Sequence, residues 1–297
     1  KYTNLFRLNG SHNTLDWHVK ISKKIKEICA ESFILFDIPG LKPRTNNNET
    51  VYIKKNQIVT FSYGNVEVDD DFISIKTSKP LPKINKNINE FSVSDGQYVF
   101  KFVKNKKNLI QGISKNFFKL KARKGLNIPA SCYDNVQQEK VYLNFIKKTE
   151  EVNYDALGLS FIQDESILLK IKSILKNKIL VSKIENLYGL NNATEITKYS
   201  DLVMIDRGDL LAEVGTNKLY DSINKISENA VNFKKPLIMA TENLESMQTR
   251  LQPSKSEIIA LEHSIDLGTN IIMLSDETAT SHLFLNTLNW LDNFLRK

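Results

Sequence analysis

Residues 156–182 read ALGLSFIQDESILLKIKSILKNKILVS, and this stretch decides the fold. Ala156 to Phe161 is an apolar run of strand length. Asp164 is a helix-capping residue type, and the stripe Ile167, Leu168, Ile171, Ile174 and Leu175 follows at helical spacing. Ile179-Leu180-Val181-Ser182 then forms a second buried strand. Further on, Leu202–Ile205, Leu237–Ala240 and Ile271–Leu274 repeat the strand pattern, with helical sequence around 216–233 and after each later strand. Strands that are apolar throughout and alternate with helices predict a parallel sheet covered on both faces. Polar residues cluster just past the strand C-terminal ends, where a (β/α)8 barrel carries its active site.

Upstream, Leu5-Phe6-Arg7-Leu8 reads as a short strand entering a loop. A helix with Ile21, Ile25 and Ile28 on its apolar face follows, then the strand Phe33–Phe36, broken by Pro39 and Gly40. From Thr45 to Leu120 the texture changes. Short β-type runs (51–53, 58–61, 72–75, 98–100, 109–110) are separated by turn clusters such as Asp69-Asp70-Asp71 and Ser94-Asp95-Gly96. The expected organisation is an α/β barrel domain from 1–44 and 121–297, with a small all-β domain, 45–120, inserted between two of its strands. Residues 284–295 predict an amphipathic terminal helix carrying Trp290 and Leu291. Lys1 to Phe6 reads as the end of a strand rather than a signal peptide.

The chain has 297 residues, 41% hydrophobic and 25% charged, ordinary values for a globular protein and enough to bury a core without staples. Its net charge of +7 does not point to nucleic acid, because only six of the 41 basic residues are Arg. Two cysteines fit a reduced cytoplasmic setting better than a disulfide scaffold. No apolar run is long enough to cross a membrane.

The strand ends supply Arg7, Asn9, Ser11, Asp37, Arg44, Ser160, Lys183, Glu185, Arg207, Asp209, Thr241, Glu242, Ser275 and Glu277. A Lys with two carboxylates on neighbouring strands can hold a hard divalent cation beside a fixed positive charge, and Arg and Lys can clamp a phosphoryl group. Read as residues alone, Ser182 and Ser275 are strand-end hydroxyls, His12 is a helix-entry residue, Asp95 is a turn former, and Asn9 and Asp37 serve loops.

Ser182-Lys183-Ile184-Glu185-Asn186, Arg207-Gly208-Asp209-Leu210, Ala240–Met247 (ATENLESM) and Met273–Ala279 (MLSDETA) resemble successive signatures of the pyruvate kinase family. Arg7–His12, Asp37–Thr45 (DIPGLKPRT) and Lys124–Pro129 (KGLNIP) are similar to its RxNFSH, DTKGPEIRT and KKGxNLP segments. The resemblance implies a (β/α)8 barrel with a β-domain lid, transferring the phosphoryl group of phosphoenolpyruvate to ADP. It implies that Glu185 and Asp209 hold Mg²⁺ (or Mn²⁺), that Lys183 neutralises the transferring group or the enolate, and that Arg7 binds phosphate. Asn9, Ser11, Asp37 and the Ile38 carbonyl would hold K⁺. The amides of Gly208 and Asp209 would bind the substrate carboxylate, with Ser160 and Arg44 also on the substrate. Thr241 would lie near the methylene face, and His12, Arg44 and Lys124 on the nucleotide. Asp95 matches an acidic turn of the lid.

The family's first strand and helix, with their TIGP motif, do not precede Lys1, and its C-terminal domain does not follow. A barrel incomplete at its N-terminus is therefore expected, and with it either a homo-oligomer or a partner that completes the barrel. Ile38-Pro39, Gln163-Asp164, Asp206, Leu211, Glu242 and Asp276 depart from the family pattern. The alternatives to phosphoryl transfer are a metal-dependent pyruvate-enolate lyase or aldolase and a non-catalytic binding or regulatory subunit. For the kinase, Lys183→Met is expected to abolish turnover and leave folding nearly unchanged.

Overall fold

The structure is a computed structural model and describes residues 3–68, 71–84, 88–94 and 96–296. Asp95, Asp69-Asp70 and Lys1-Tyr2 lie outside the described residues.

Seven parallel strands form one sheet in chain order: β1 (Leu5–Asn9), β2 (Phe33–Ile38), β3 (Ala156–Leu159), β4 (Ile179–Lys183), β5 (Leu202–Asp206), β6 (Leu237–Ala240) and β7 (Ile271–Ile272). The helices between and after them are α1 (Leu15–Ile28), α2 (Asn135–Lys148), α3 (Glu165–Ile174), α4 (Leu187–Asn191), α5 (Ala193–Tyr199), α6 (Arg207–Val214), α7 (Thr216–Asn232), α8 (Lys255–Asp266), α9 (Asp276–Thr280) and α10 (Phe284–Leu295). This is the sheet of an α/β barrel with seven staves. Among the described residues β1 and β7 are its edges and do not pair with each other.

From β2 to β6 the strands are largely apolar up to their C-terminal ends because alternate residues feed two separate cores. Ile34, Phe36, Leu157, Leu180, Val203, Leu237 and Met239 pack beneath the helices. Leu35, Ala156, Val181, Met204, Ile238 and Ala240 fill the barrel side. A strand buried on both faces has no polar face to show, hence the continuous runs rather than an alternation. Asp164 caps α3, its side chain accepting from the Ser166 amide at 3.0 Å.

Two expected helix faces are corrected at their ends. Ile28 is 76% exposed and Ile174 is 53% exposed. Each is the last residue of its helix, past the turn that touches the sheet. On α1 the buried positions are Ser22 and His18. The His18 ring packs edge-on against Phe36 with centroids 5.1 Å apart, and its Nε2 lies 2.8 Å from the His12 carbonyl.

Between β2 and β3 every described strand belongs to smaller sheets. The largest has six strands, in the spatial order 126–127, 90–93, 98–106, 109–114, 58–62 and 73–76. All its pairs are antiparallel except the last. Its core is aromatic. Phe61, Phe91, Phe100 and Phe118 are buried together, with Phe91 and Phe100 stacked at 5.1 Å. Strand pairing continues past residue 120, because Leu126 and Ile128 belong to this core.

Candidate active site

The C-terminal ends of the strands surround a cavity of about 670 Å³. Its barrel wall carries Arg7, Asn9, Asp37, Ser160, Lys183, Asp206, Asp209 and Thr241. Its lining also includes Lys79 from the β-rich segment, and Arg44, Arg123 and Lys124 from the chain just before and after it.

Lys183, the last residue of β4, is 4% exposed and sits among three carboxylates. Its Nζ is 3.2 Å from Asp37 Oδ2, 3.3 Å from Glu185 Oε2 and 3.5 Å from Asp206 Oδ2. Burial alone would lower its pKa, but these neighbours, Asp37 foremost, push it well above the ordinary lysine value. The surrounding carboxylates thus favour the charged, ammonium form of Lys183 at the barrel mouth.

Glu185 follows two residues later and is fully buried. Its Oε1 accepts the Phe161 amide at 2.8 Å, whereas Oε2 accepts no hydrogen bond. Burial drives its pKa well above the usual carboxylate range. Asp209 lies in the first turn of α6, next to the helix N-terminus. It pairs with Lys42 and accepts from Asn127 Nδ2 at 3.1 Å. Burial works against its charge, yet Lys42 holds its pKa below the usual value. One carboxylate oxygen from each of Glu185, Asp206 and Asp209 lies within 4.8 Å of the other two. A buried carboxylate oxygen that accepts no hydrogen bond, 3.3 Å from the Lys183 ammonium, stands beside two more, and this donor set fits a hard divalent cation.

Three of the four residues expected around K⁺ engage their oxygens within the protein. Asp37 Oδ2 accepts from Arg7 Nη2 at 2.6 Å and lies against Lys183. Its Oδ1 accepts from Ser160 Oγ at 3.1 Å. Asn9 Oδ1 accepts the Ser11 amide, and the Ile38 carbonyl accepts the Ser160 amide. Asp37 Oδ2 is thus shared by two cations, Arg7 and Lys183. Ser11 and His12 are exposed on the same rim.

Arg7 spans two acids. Nε and Nη2 engage Asp37, and Nη1 donates to Asp276 Oδ1 at 3.1 Å. The turn after β6 is held in the left-handed region, with φ of +62° at Thr241, +52° at Glu242 and +58° at Leu244. Arg207 pins it by donating to the Thr241 carbonyl and, at 2.8 Å, to Asn243 Oδ1. Thr241 Oγ1 in turn accepts the Gly208 amide at 3.1 Å. The expected carboxylate-binding amide thus faces the expected methylene-side hydroxyl.

The family model for the pyruvate kinase barrel domain matches residues 2–287. The chain belongs to the pyruvate kinase family. A pyruvate kinase of Thermococcus litoralis is 32% identical over 286 residues, 92% of this chain and 59% of its own length. One from Thermotoga maritima is 30% identical over 93% of the chain and 61% of its own length. One from Borreliella burgdorferi is 24% identical over 99% and 62%. The chain therefore spans less than two thirds of these pyruvate kinases. Within the pyruvate kinase frame, the departures Asp206, Glu242 and Asp276 all lie on the cavity wall.

Lys42, Asn127 and Lys79 were not singled out by sequence reading. Lys42 and Asn127 sit inside quoted motifs, and their contact with Asp209 is visible only once β2 and the returning strand 126–127 meet α6. Lys79 lies in a stretch with no motif. Its Nζ donates to the Gly40 carbonyl at 2.5 Å, and burial, then Arg44, pull its pKa down to about 8. Among the described residues no helix is long and apolar enough to cross a membrane.

Proposed function

We propose that this chain is a pyruvate kinase-like phosphotransferase, moving the phosphoryl group of phosphoenolpyruvate to ADP with Mg²⁺, in the cytoplasm. The observation that carries the reading is the convergence of Lys183, Glu185 and Asp209 at one barrel mouth, with donor oxygens within 4.8 Å. Glu185 and Asp209 would hold the divalent ion. When bound, that ion supplies positive charge to substrate oxygens as charge shifts during transfer. Lys183 places a fixed cation beside the same oxygens, and electrostatic preorganisation of this kind is the main lever on phosphoryl transfer. Arg7 would clamp the phosphate once its fork turns from Asp37 or Asp276. The α6 N-terminus, at Gly208 and Asp209, would receive the substrate carboxylate. Thr241 would face the methylene carbon, and Ser160 would keep Asp37 and Lys183 in register.

The residues 45–120 would act as a lid over this mouth. Arg44 and Lys124, with His12 on the rim, would hold the polyphosphate of the nucleotide, and Arg123 and Lys79 add charge there. The test is pyruvate formation from phosphoenolpyruvate and ADP with Mg²⁺ in a lactate dehydrogenase-coupled assay. Mg²⁺-dependent product that disappears in Glu185→Gln supports the reading, and no product from the wild-type chain sinks it.

One observation favours a second reading. The Arg7 fork is engaged by two carboxylates, Asp37 and Asp276, which suits a substrate with no phosphate there. A pyruvate-enolate lyase or aldolase would use the same Lys183, Glu185 and Asp209. It would exchange the pyruvate methyl protons with solvent given Mg²⁺ and no nucleotide, and absence of exchange removes it.

A further inference from the structure

We infer that Asp206 is a third carboxylate ligand for the divalent cation, added to the Glu185 and Asp209 pair. The inference rests on the divalent-ion part of the reading above, but not on which reaction the ion serves. Asp206 ends β5 and occupies the cap position of α6. An aspartate there ordinarily accepts an amide hydrogen bond from the first turn. The Asp206 side chain makes no such bond. Its carboxylate is turned into the barrel mouth instead, with Oδ2 3.5 Å from Lys183 Nζ. An oxygen of Asp206 lies within 4.8 Å of oxygens from Glu185 and Asp209.

The second observation is Glu185 Oε2. It is fully buried, accepts no hydrogen bond and faces the same space. Oε2 has Lys183 Nζ at 3.3 Å, an ammonium that it shares, and a buried carboxylate oxygen placed so favours further positive charge. Lys183 alone is shared between Asp37, Glu185 and Asp206, so one ammonium serves three anions. Among the described residues this group brings four carboxylates (Asp37, Glu185, Asp206, Asp209) together with the cations Arg7, Lys42 and Lys183, and Arg7 also serves Asp276. A site with two carboxylates leaves Mg²⁺ to be completed by substrate oxygens. A third raises the affinity of the protein alone, because affinity for hard cations follows the count of charged ligands. This chain is therefore built to hold its metal before substrate arrives.

The test is Mn²⁺ binding to the whole chain without substrate, followed by the electron spin resonance signal of free Mn²⁺. Oxygen-17-labelled water in the same experiment counts metal-bound waters. Asp206→Ala and Asp206→Asn are compared with wild type and with Glu185→Gln, each checked by thermal melting; the near-isosteric Asn variant covers a folding failure of the Ala variant. Asp206→Ala is expected to weaken Mn²⁺ by at least about tenfold, the scale that losing even an outer partner costs a metal site, and to gain one bound water. Asp206→Asn should weaken it similarly. Unchanged affinity and water count in the Asp206 variants, with loss in Glu185→Gln, would overturn the inference while leaving the two-carboxylate reading standing. Unchanged binding in all three variants would overturn both.

Discussion

Arg7 and Asp276 join the two open edges of the barrel sheet. Nη1 of Arg7, on β1, donates to Oδ1 of Asp276, in the first turn of the helix after β7, at 3.1 Å. Asp276 Oδ2 also accepts from Asn9 Nδ2 at 2.9 Å. No strand pairing connects these edges among the described residues, so side chains bridge them. The bridge also occupies the guanidinium expected to bind phosphate.

Removing that competitor should help the substrate. Asp276→Asn is expected to lower the KM for phosphoenolpyruvate with little change in kcat. Asp276 is half exposed, so the competing ion pair is worth about 0.5–1 kcal/mol, roughly two- to fivefold in KM. Steady-state kinetics at fixed ADP measures it. A raised KM would show that Asp276 positions Arg7 rather than competing for it.

Lys183→Met should abolish turnover, by about a hundredfold or more. Folding will not be spared, contrary to the expectation from sequence. The ammonium is buried among Asp37, Glu185 and Asp206, and its loss leaves carboxylates unpaired. Breaking one side of a buried ionic cluster costs about 3–5 kcal/mol. Urea unfolding of the variant should show this, and rescue by Mn²⁺ should recover part of it.

Glu213 sets a pH dependence of stability. It is buried, its Oε1 accepts from Ser131 Oγ at 2.9 Å, and burial raises its pKa to about 8. The folded state thus binds a proton that the unfolded state releases near its ordinary value. The stabilisation is present in full below about 4.5 and is lost as pH rises through about 8. Melting temperature should fall between pH 6 and pH 8.5, and Glu213→Gln should flatten that fall. Parallel curves for both proteins would count against it.

Lys79→Met should raise the KM for ADP severalfold more than that for phosphoenolpyruvate, since Lys79 lines the cavity beside Arg44. The effect should be largest below pH 8, where the Lys79 amine carries its charge. Equal effects on both substrates would place Lys79 in the shell of the fold rather than on the nucleotide.

The barrel strands were legible because burial on both faces leaves an unbroken apolar run, as at Leu202–Ile205. Helix ends were less legible. Ile28 and Ile174 keep the period but lie beyond the last turn that meets the sheet. Of the site, Lys183, Glu185 and Asp209 could be read from their motifs. What could not be read was who neutralises whom. Lys42 reaches Asp209 across 167 residues of chain, and Asp37 is shared by Arg7 and Lys183. Such pairings depend on register between distant strands, and nothing local in the sequence encodes them.

The most direct measurement is an anomalous-scattering map of crystals grown with Mn²⁺ and oxalate, a planar dianion shaped like the enolate of pyruvate. The account expects a single Mn²⁺ peak touched by both Glu185 and Asp209, with oxalate between it and the start of α6 and Lys183 alongside. Oxalate bound with no Mn²⁺ between those two carboxylates, or a peak held by neither of them, would contradict it.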